Sequence, residues 1–182
     1  ASASATRIYE VLDETTDIAD AAGAKDLTRP AGDIEFSDVH FTYPNAAMSF
    51  DEGVTPQRLP VLTGFDLSIA AGETIAIVGR TGSGKSTVAR LLARFYEADN
   101  GTIAIDGHPI DSVTLASLRH HVGLVFDEPF LFSSTVRDNI AYGLPNAPLD
   151  DIVRAATAAQ AHGFITDLEN GYDTVVGERG YT

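Results

Sequence analysis

Eight consecutive residues, Gly79-Arg80-Thr81-Gly82-Ser83-Gly84-Lys85-Ser86, fill every fixed position of the pattern G-x-x-x-x-G-K-[ST]. Each residue type has a task at that spacing. The glycines let successive backbone N–H groups turn into one concavity. A helix beginning there adds its unpaired N–H groups and the positive end of its dipole. Lys85 brings a mobile positive charge, and the Ser86 hydroxyl can ligate Mg²⁺. Together they suit the β- and γ-phosphates of a nucleotide. Gly79, Thr81, Gly82, Ser83, Gly84, Lys85, Ser86 and Thr87 are therefore the candidate binding residues, with Ser86 as a metal ligand. Local charge agrees. Arg80, Lys85, Arg90 and Arg94 fall between Thr74 and Tyr96 with no carboxylate among them. Arg90 and Arg94 read as ordinary solvent-facing helix charges.

The flanking elements must hold that loop. Thr74 to Val78 is a short apolar run, which predicts a strand buried on both faces as in a parallel sheet. Val88, Leu91, Leu92 and Phe95 recur at helical spacing and predict an amphipathic helix after the loop. Upstream, Ile34, Phe36, Val39, Phe41 and Tyr43 alternate with one register change near Asp38, and Pro44 ends that strand. Val61 to Ile69 reads as another strand, and Asp106-Gly107 as a tight hairpin turn after Thr102 to Ile105. Val122 to Phe126 is a further apolar strand. Ser134 or Thr135 caps a helix, with Asp138 completing a capping-box variant, and Leu149 to Ala161 forms an alanine-rich helix. Residues 1–12 read as the end of a preceding helix, 13–32 as a linker, and 45–60 as a loop. The domain proper divides into 33–126, carrying the phosphate loop, and 127–182.

Composition narrows the function. The 182 residues carry 12 basic and 26 acidic side chains, a net charge of −14. That excludes nucleic-acid binding by bulk positive charge. The chain has no cysteine, which excludes disulfides and zinc–thiolate sites. No apolar run is long enough to span a membrane. Hydrophobic residues at 44% and charged residues at 21% suit a folded domain.

The residues around the loop resemble the nucleotide-binding domain of exporter-type ATP-binding cassette (ABC) transporters. Phe41-Thr42-Tyr43-Pro44 is similar to the segment whose aromatic stacks on adenine, so the resemblance implies that role for Tyr43 and a nearly silent Tyr43→Phe change. Gly101 to Gly107 looks like the family's β-hairpin. Val122 to Phe132 looks like the strand and loop that couple the nucleotide site to membrane helices. Ser133 to Ile140 resembles the exporter-type helix start, Thr174 to Gly180 a segment that contacts the coupling helices, and Arg7 to Leu12 the end of the last membrane helix. The implied fold is α/β: a P-loop NTPase core with an antiparallel β subdomain and the start of a helical subdomain. The implied cofactors are ATP and Mg²⁺. The implied partners are a transmembrane domain and a second nucleotide-binding domain, at the cytoplasmic face of a membrane.

Two departures qualify the resemblance. The family's glutamine after the strand ending at Phe126 is Asp127 here, a second candidate metal ligand. The family's signature loop, catalytic glutamate and switch histidine would follow Thr182. The resemblance thus implies a fragment, truncated before the signature motif, that does not turn over ATP alone although its complete parent is an ATPase. The alternatives are a soluble ABC-type ATPase and a non-catalytic regulatory nucleotide-binding module. The acidic charge and the exporter-like run from Phe130 to Ile140 count against the first.

Overall fold

The structure is a computed structural model that describes residues 18–44, 59–126 and 130–177. The expected helix end at residues 1–12 and the greater part of the 45–60 loop lie outside them. The chain divides into two compact units, Ala1–Leu124 and Val125–Thr182.

The first unit is built on an antiparallel sheet. Strands β1 (Ile34–Phe41), β2 (Leu62–Ile69), β3 (Asn100–Ile105) and β4 (His108–Pro109) lie in the order β2-β1-β3-β4. Alternation in β1 sends Phe36, Val39 and Phe41 into the core, while the residues between them are less buried. Phe36 and Val39 can share one face only because the register slips between them. At the slip Asp38 has φ +49°, and its N–H is taken by the Asp66 carboxylate at 2.7 Å. Gly101 of β3 crosses this bulge so closely that a Cβ there would collide with the Asp38 carbonyl. The register change read from the sequence is therefore present and braced from two sides. The β3–β4 hairpin turns on Asp106-Gly107, both with positive φ, as a type I′ turn requires.

Helix α1 (Lys85–Leu92) buries Val88 and Leu91 against the core formed by Phe36, Phe41, Ile103 and Leu118. It is shorter than the periodicity suggests. Arg94 adopts φ +55°, and Phe95 N–H donates to the Arg90 carbonyl while Arg94 N–H donates to that of Leu91. This is a Schellman ending with arginine where glycine is usual. Phe95 consequently leaves the helix face and is 43% exposed, beneath the Arg119 guanidinium. Helix α2 (Leu115–His121) follows, capped by the Thr114 side chain, which accepts from Ser117 N–H.

Two expectations need correction. Thr74–Val78 is expected from its sequence as a strand buried on both faces, and Val122–Phe126 as a further apolar strand. Among the described residues neither pairs in a ladder, and Val78 is 87% and Val125 100% exposed. An apolar run records that a segment is suited to burial, but burial on both faces requires neighbouring strands, and the described residues provide none. The expected linker is the second case. Residues 18–32 form an extended strap on the first unit. Lys25 bridges Val113, and Leu27 enters the core at 5% exposure while its N–H donates to Ser117 Oγ. The N–H groups of Ala31, Gly32 and Asp33 all donate to the Asp106 carboxylate.

The second unit carries three helices, α3 (Val136–Ile140), α4 (Leu149–Ala158) and α5 (His162–Thr166), and a 3₁₀ turn at Gly171–Asp173 among its described residues. Strands β5 (Ser134–Thr135) and β6 (Val175–Val176) pair antiparallel. Thr135, not Ser134, caps α3 by accepting from Asp138 N–H at 3.0 Å. Asp138 returns its carboxylate to the Ser134 hydroxyl at 2.7 Å, so the box closes one residue early. Helix α4 ends sooner than expected because Gln160 takes φ +57° and repeats the ending of α1. Ile152 and Ala156 of α4 and Ile165 of α5 are buried.

Candidate nucleotide site

The loop from Gly79 to Gly84 is exposed on its outer side and anchored at its last residue. Gly84 is the N-cap of α1, with φ +88°, and it is buried. A Cβ on it would lie 2.9 Å from Leu62 Cδ2 and 3.2 Å from Val61 Cγ1. Glycine is thus needed twice, for the left-handed backbone and for the approach of β2. Ser83 N–H donates to the Arg80 carbonyl at 3.1 Å, which closes the loop into a turn.

The N-terminus of α1 has no side-chain cap and no acidic residue in its first turn. Its first N–H groups have no carbonyl behind them within the helix. The partial positive charge there is therefore open to an external anion. Lys85 curls over the loop, and its Nζ donates to the carbonyls of Gly79 and Arg80 at 2.9 Å each. An ammonium has three donors, so one remains for an anion in the same concavity. Ser86 is exposed on the first turn, while Thr87 beside it is 4% exposed. The donor set, all N–H, hydroxyl and ammonium with no carboxylate, fits a nucleotide polyphosphate.

Tyr43 comes from the opposite side. It follows β1, and its ring meets Phe41 and Tyr96 edge-on, with centroids at 4.8 and 5.0 Å. Its hydroxyl lies 2.9 Å from Thr87 Oγ1. Thus the structure brings Tyr43 against the first turn of α1, from 44 residues away in the chain. Asp127 lies outside the described residues.

Both arginines read as solvent-facing turn out otherwise. Arg94 is 4% exposed; its guanidinium holds Glu97 at 2.7 Å and donates to the carbonyls of Ile110 and Ala19. Arg90 is half-buried and donates from Nη1 to the Tyr43 hydroxyl at 3.3 Å. Sequence reasoning also passed over Arg119, which donates to the carbonyls of Ala93 and Arg94 at the end of α1. The one available signal was the absence of glycine after Leu92: a helix that ends without it needs other groups for its last carbonyls.

A family model described as ABC transporter matches residues 62–182, more than half of the chain. The chain belongs to the ABC transporter family. Members of this family hydrolyse ATP. A bacterial Atm1-family ABC exporter solved with ATP bound superposes with a TM-score of 0.79 at 38% identity, covering 96% of this chain and 28% of that one. An ATP-dependent lipid A-core flippase of Syntrophus aciditrophicus is 42% identical over 98% of this chain and 28% of its own length. A putative multidrug export ATP-binding/permease protein of Staphylococcus aureus is 42% identical over 95% of this chain and 28% of its own. The chain thus spans a little over a quarter of these ABC relatives. The antiparallel sheet with helices is the fold of their nucleotide-binding domain.

Proposed function

We propose that this chain is the ATP-binding part of an ABC exporter. The observation that carries the reading is the open, carboxylate-free N-terminus of α1, with Lys85 lying across its loop. The loop N–H groups and Lys85 bind and orient the β- and γ-phosphates, and Ser86 provides a hydroxyl to Mg²⁺. Asp127 is a second Mg²⁺ ligand, because a carboxylate suits that cation. Tyr43 offers a ring to the adenine. Bound ATP supplies the phosphoanhydride whose hydrolysis drives the work, and phosphoryl transfer asks the protein for positioning and charge neutralisation.

The whole protein's partners follow from the relatives. The Atm1-family protein and the Staphylococcus aureus protein are named for export, while the Syntrophus protein is named as an ATP-dependent flippase of lipid A-core, so the cargo differs among them. Export is therefore the part carried over to this chain, with a transmembrane domain and a second nucleotide-binding domain as partners at the cytoplasmic face of a membrane. Among the described residues no helix is long and apolar enough to cross a membrane.

The test is calorimetric. Lys85→Ala removes a charged donor to the phosphates, worth about 1.5–3 kcal/mol, or roughly 10–150-fold in ATP affinity. Equal affinities for the two proteins would sink the assignment.

A further inference from the structure

Arg90 and Thr87 are three residues apart on α1 and share one face. That face meets Tyr43, whose hydroxyl lies between them, 3.3 Å from Arg90 Nη1 and 2.9 Å from Thr87 Oγ1. A guanidinium has donors and no acceptor, so the Tyr43 oxygen accepts from Arg90. Its own hydrogen then has Thr87 Oγ1 as the acceptor in reach. The chain of hydrogen bonds acquires a direction: Arg90 to Tyr43 to Thr87.

The direction matters because of where it ends. Thr87 is on the first turn of α1, beside Lys85 and Ser86. A helical threonine often returns its hydroxyl hydrogen to the carbonyl four residues earlier, as Thr157 does to Val153 at 2.7 Å. Among the described residues Thr87 makes no such bond, and its hydroxyl is bonded to Tyr43 instead. With its oxygen accepting from Tyr43, its hydrogen is left to donate.

We propose that Arg90 is a positioning residue for the phosphate site, acting through the Tyr43 hydroxyl to orient the Thr87 hydroxyl as a donor to the bound anion. The inference rests on the phosphate-loop reading above. It also gives Tyr43 two tasks, a ring for the base and a hydroxyl for the phosphate end. The expectation that Tyr43→Phe is nearly silent is thereby replaced: the hydroxyl has partners, and losing it disconnects Arg90 from Thr87.

The experiment uses inorganic tripolyphosphate, which has neither base nor ribose, beside ATP. Affinities are measured by calorimetry with Mg²⁺ on the full chain. Tyr43→Phe keeps the ring contacts and is expected to weaken tripolyphosphate and ATP alike, by about three- to tenfold for one hydrogen bond. Arg90→Met keeps the apolar stem and should lose a similar factor, while Arg90→Lys, which keeps a charged donor, should retain most of the affinity. In the Tyr43→Phe background Arg90→Met should cost nothing further, because the path is already cut. Unchanged tripolyphosphate affinity in Tyr43→Phe overturns the proposal. So does an undiminished Arg90→Met effect in that background, which would make Arg90 a through-space charge. Lys85→Ala in the same series separates the two layers: tripolyphosphate binding indifferent to Lys85 overturns the phosphate-loop reading and the relay with it.

Discussion

At the scale of single residues, the site divides into positions whose type is fixed by backbone geometry and positions whose role depends on a neighbour far away in the chain. Gly84 is of the first kind, and its place was legible because the motif requires glycine before Lys85. The structure adds the magnitude. Gly84→Ala places a side chain on a left-handed backbone, at about 1–3 kcal/mol, and presses a Cβ against Leu62 at 2.9 Å. Urea unfolding should show a loss at or above that range, and ATP affinity should fall with it as the loop shifts. A variant as stable as wild type would mean that the loop does not sit against β2. Arg90 is of the second kind. Charge spacing places it on a helix but does not say that the strand end carrying Tyr43 crosses that face. No signal in residues 85–95 identifies Tyr43 as a neighbour.

At the scale of elements, strands were legible where one face is buried and obscure where pairing decides. The β1 bulge could be read because Phe36 and Val39 are both large and apolar at odd separation. The ends of α1 and α4 could not, because Arg94 and Gln160 occupy left-handed positions that usually announce themselves as glycine. Arg94 compensates with its bonds to Glu97, Ile110 and Ala19, and these tie the strap to the end of the helix whose start holds the phosphate loop. The strap was read as a linker because its composition is polar and aperiodic. One buried leucine and a series of hydrogen bonds leave no periodicity. The two readings differ measurably. In a linker Leu27→Ala would be silent. At 5% exposure in the core, the truncation should instead destabilise the first unit by about 2–4 kcal/mol, seen as a lower urea midpoint. A midpoint within error of wild type would return residues 18–32 to the status of a linker.

At the scale of the molecule, charge sets the response to pH. The net charge of −14 at pH 7 produces self-repulsion, so mild acidification relieves strain before it harms. Against this stand two carboxylates, one in each unit. Asp106 accepts from the N–H of Asp33 and also from those of Ala31 and Gly32, which holds its carboxyl below the ordinary aspartate range. Asp138 is held low by the hydroxyls of Thr135 and Ser134. A group whose folded pKa is depressed contributes stability above its unfolded value, near about 3.9 for aspartate, and loses it as pH falls through the folded value. The urea midpoint should therefore hold or rise from pH 7 to about 5 and then fall below about pH 4. Asp106→Asn keeps one acceptor oxygen but not the charge. It should be less stable than wild type at pH 7, and the gap should close below about pH 4 as the wild-type carboxyl takes up its proton. Asp138→Asn should behave likewise, and the two losses should add, because the residues share no partner. A gap that stays constant from pH 7 to pH 3 would show that neither carboxylate matters through its charge, and the strap and the α3 cap would then rest on geometry alone.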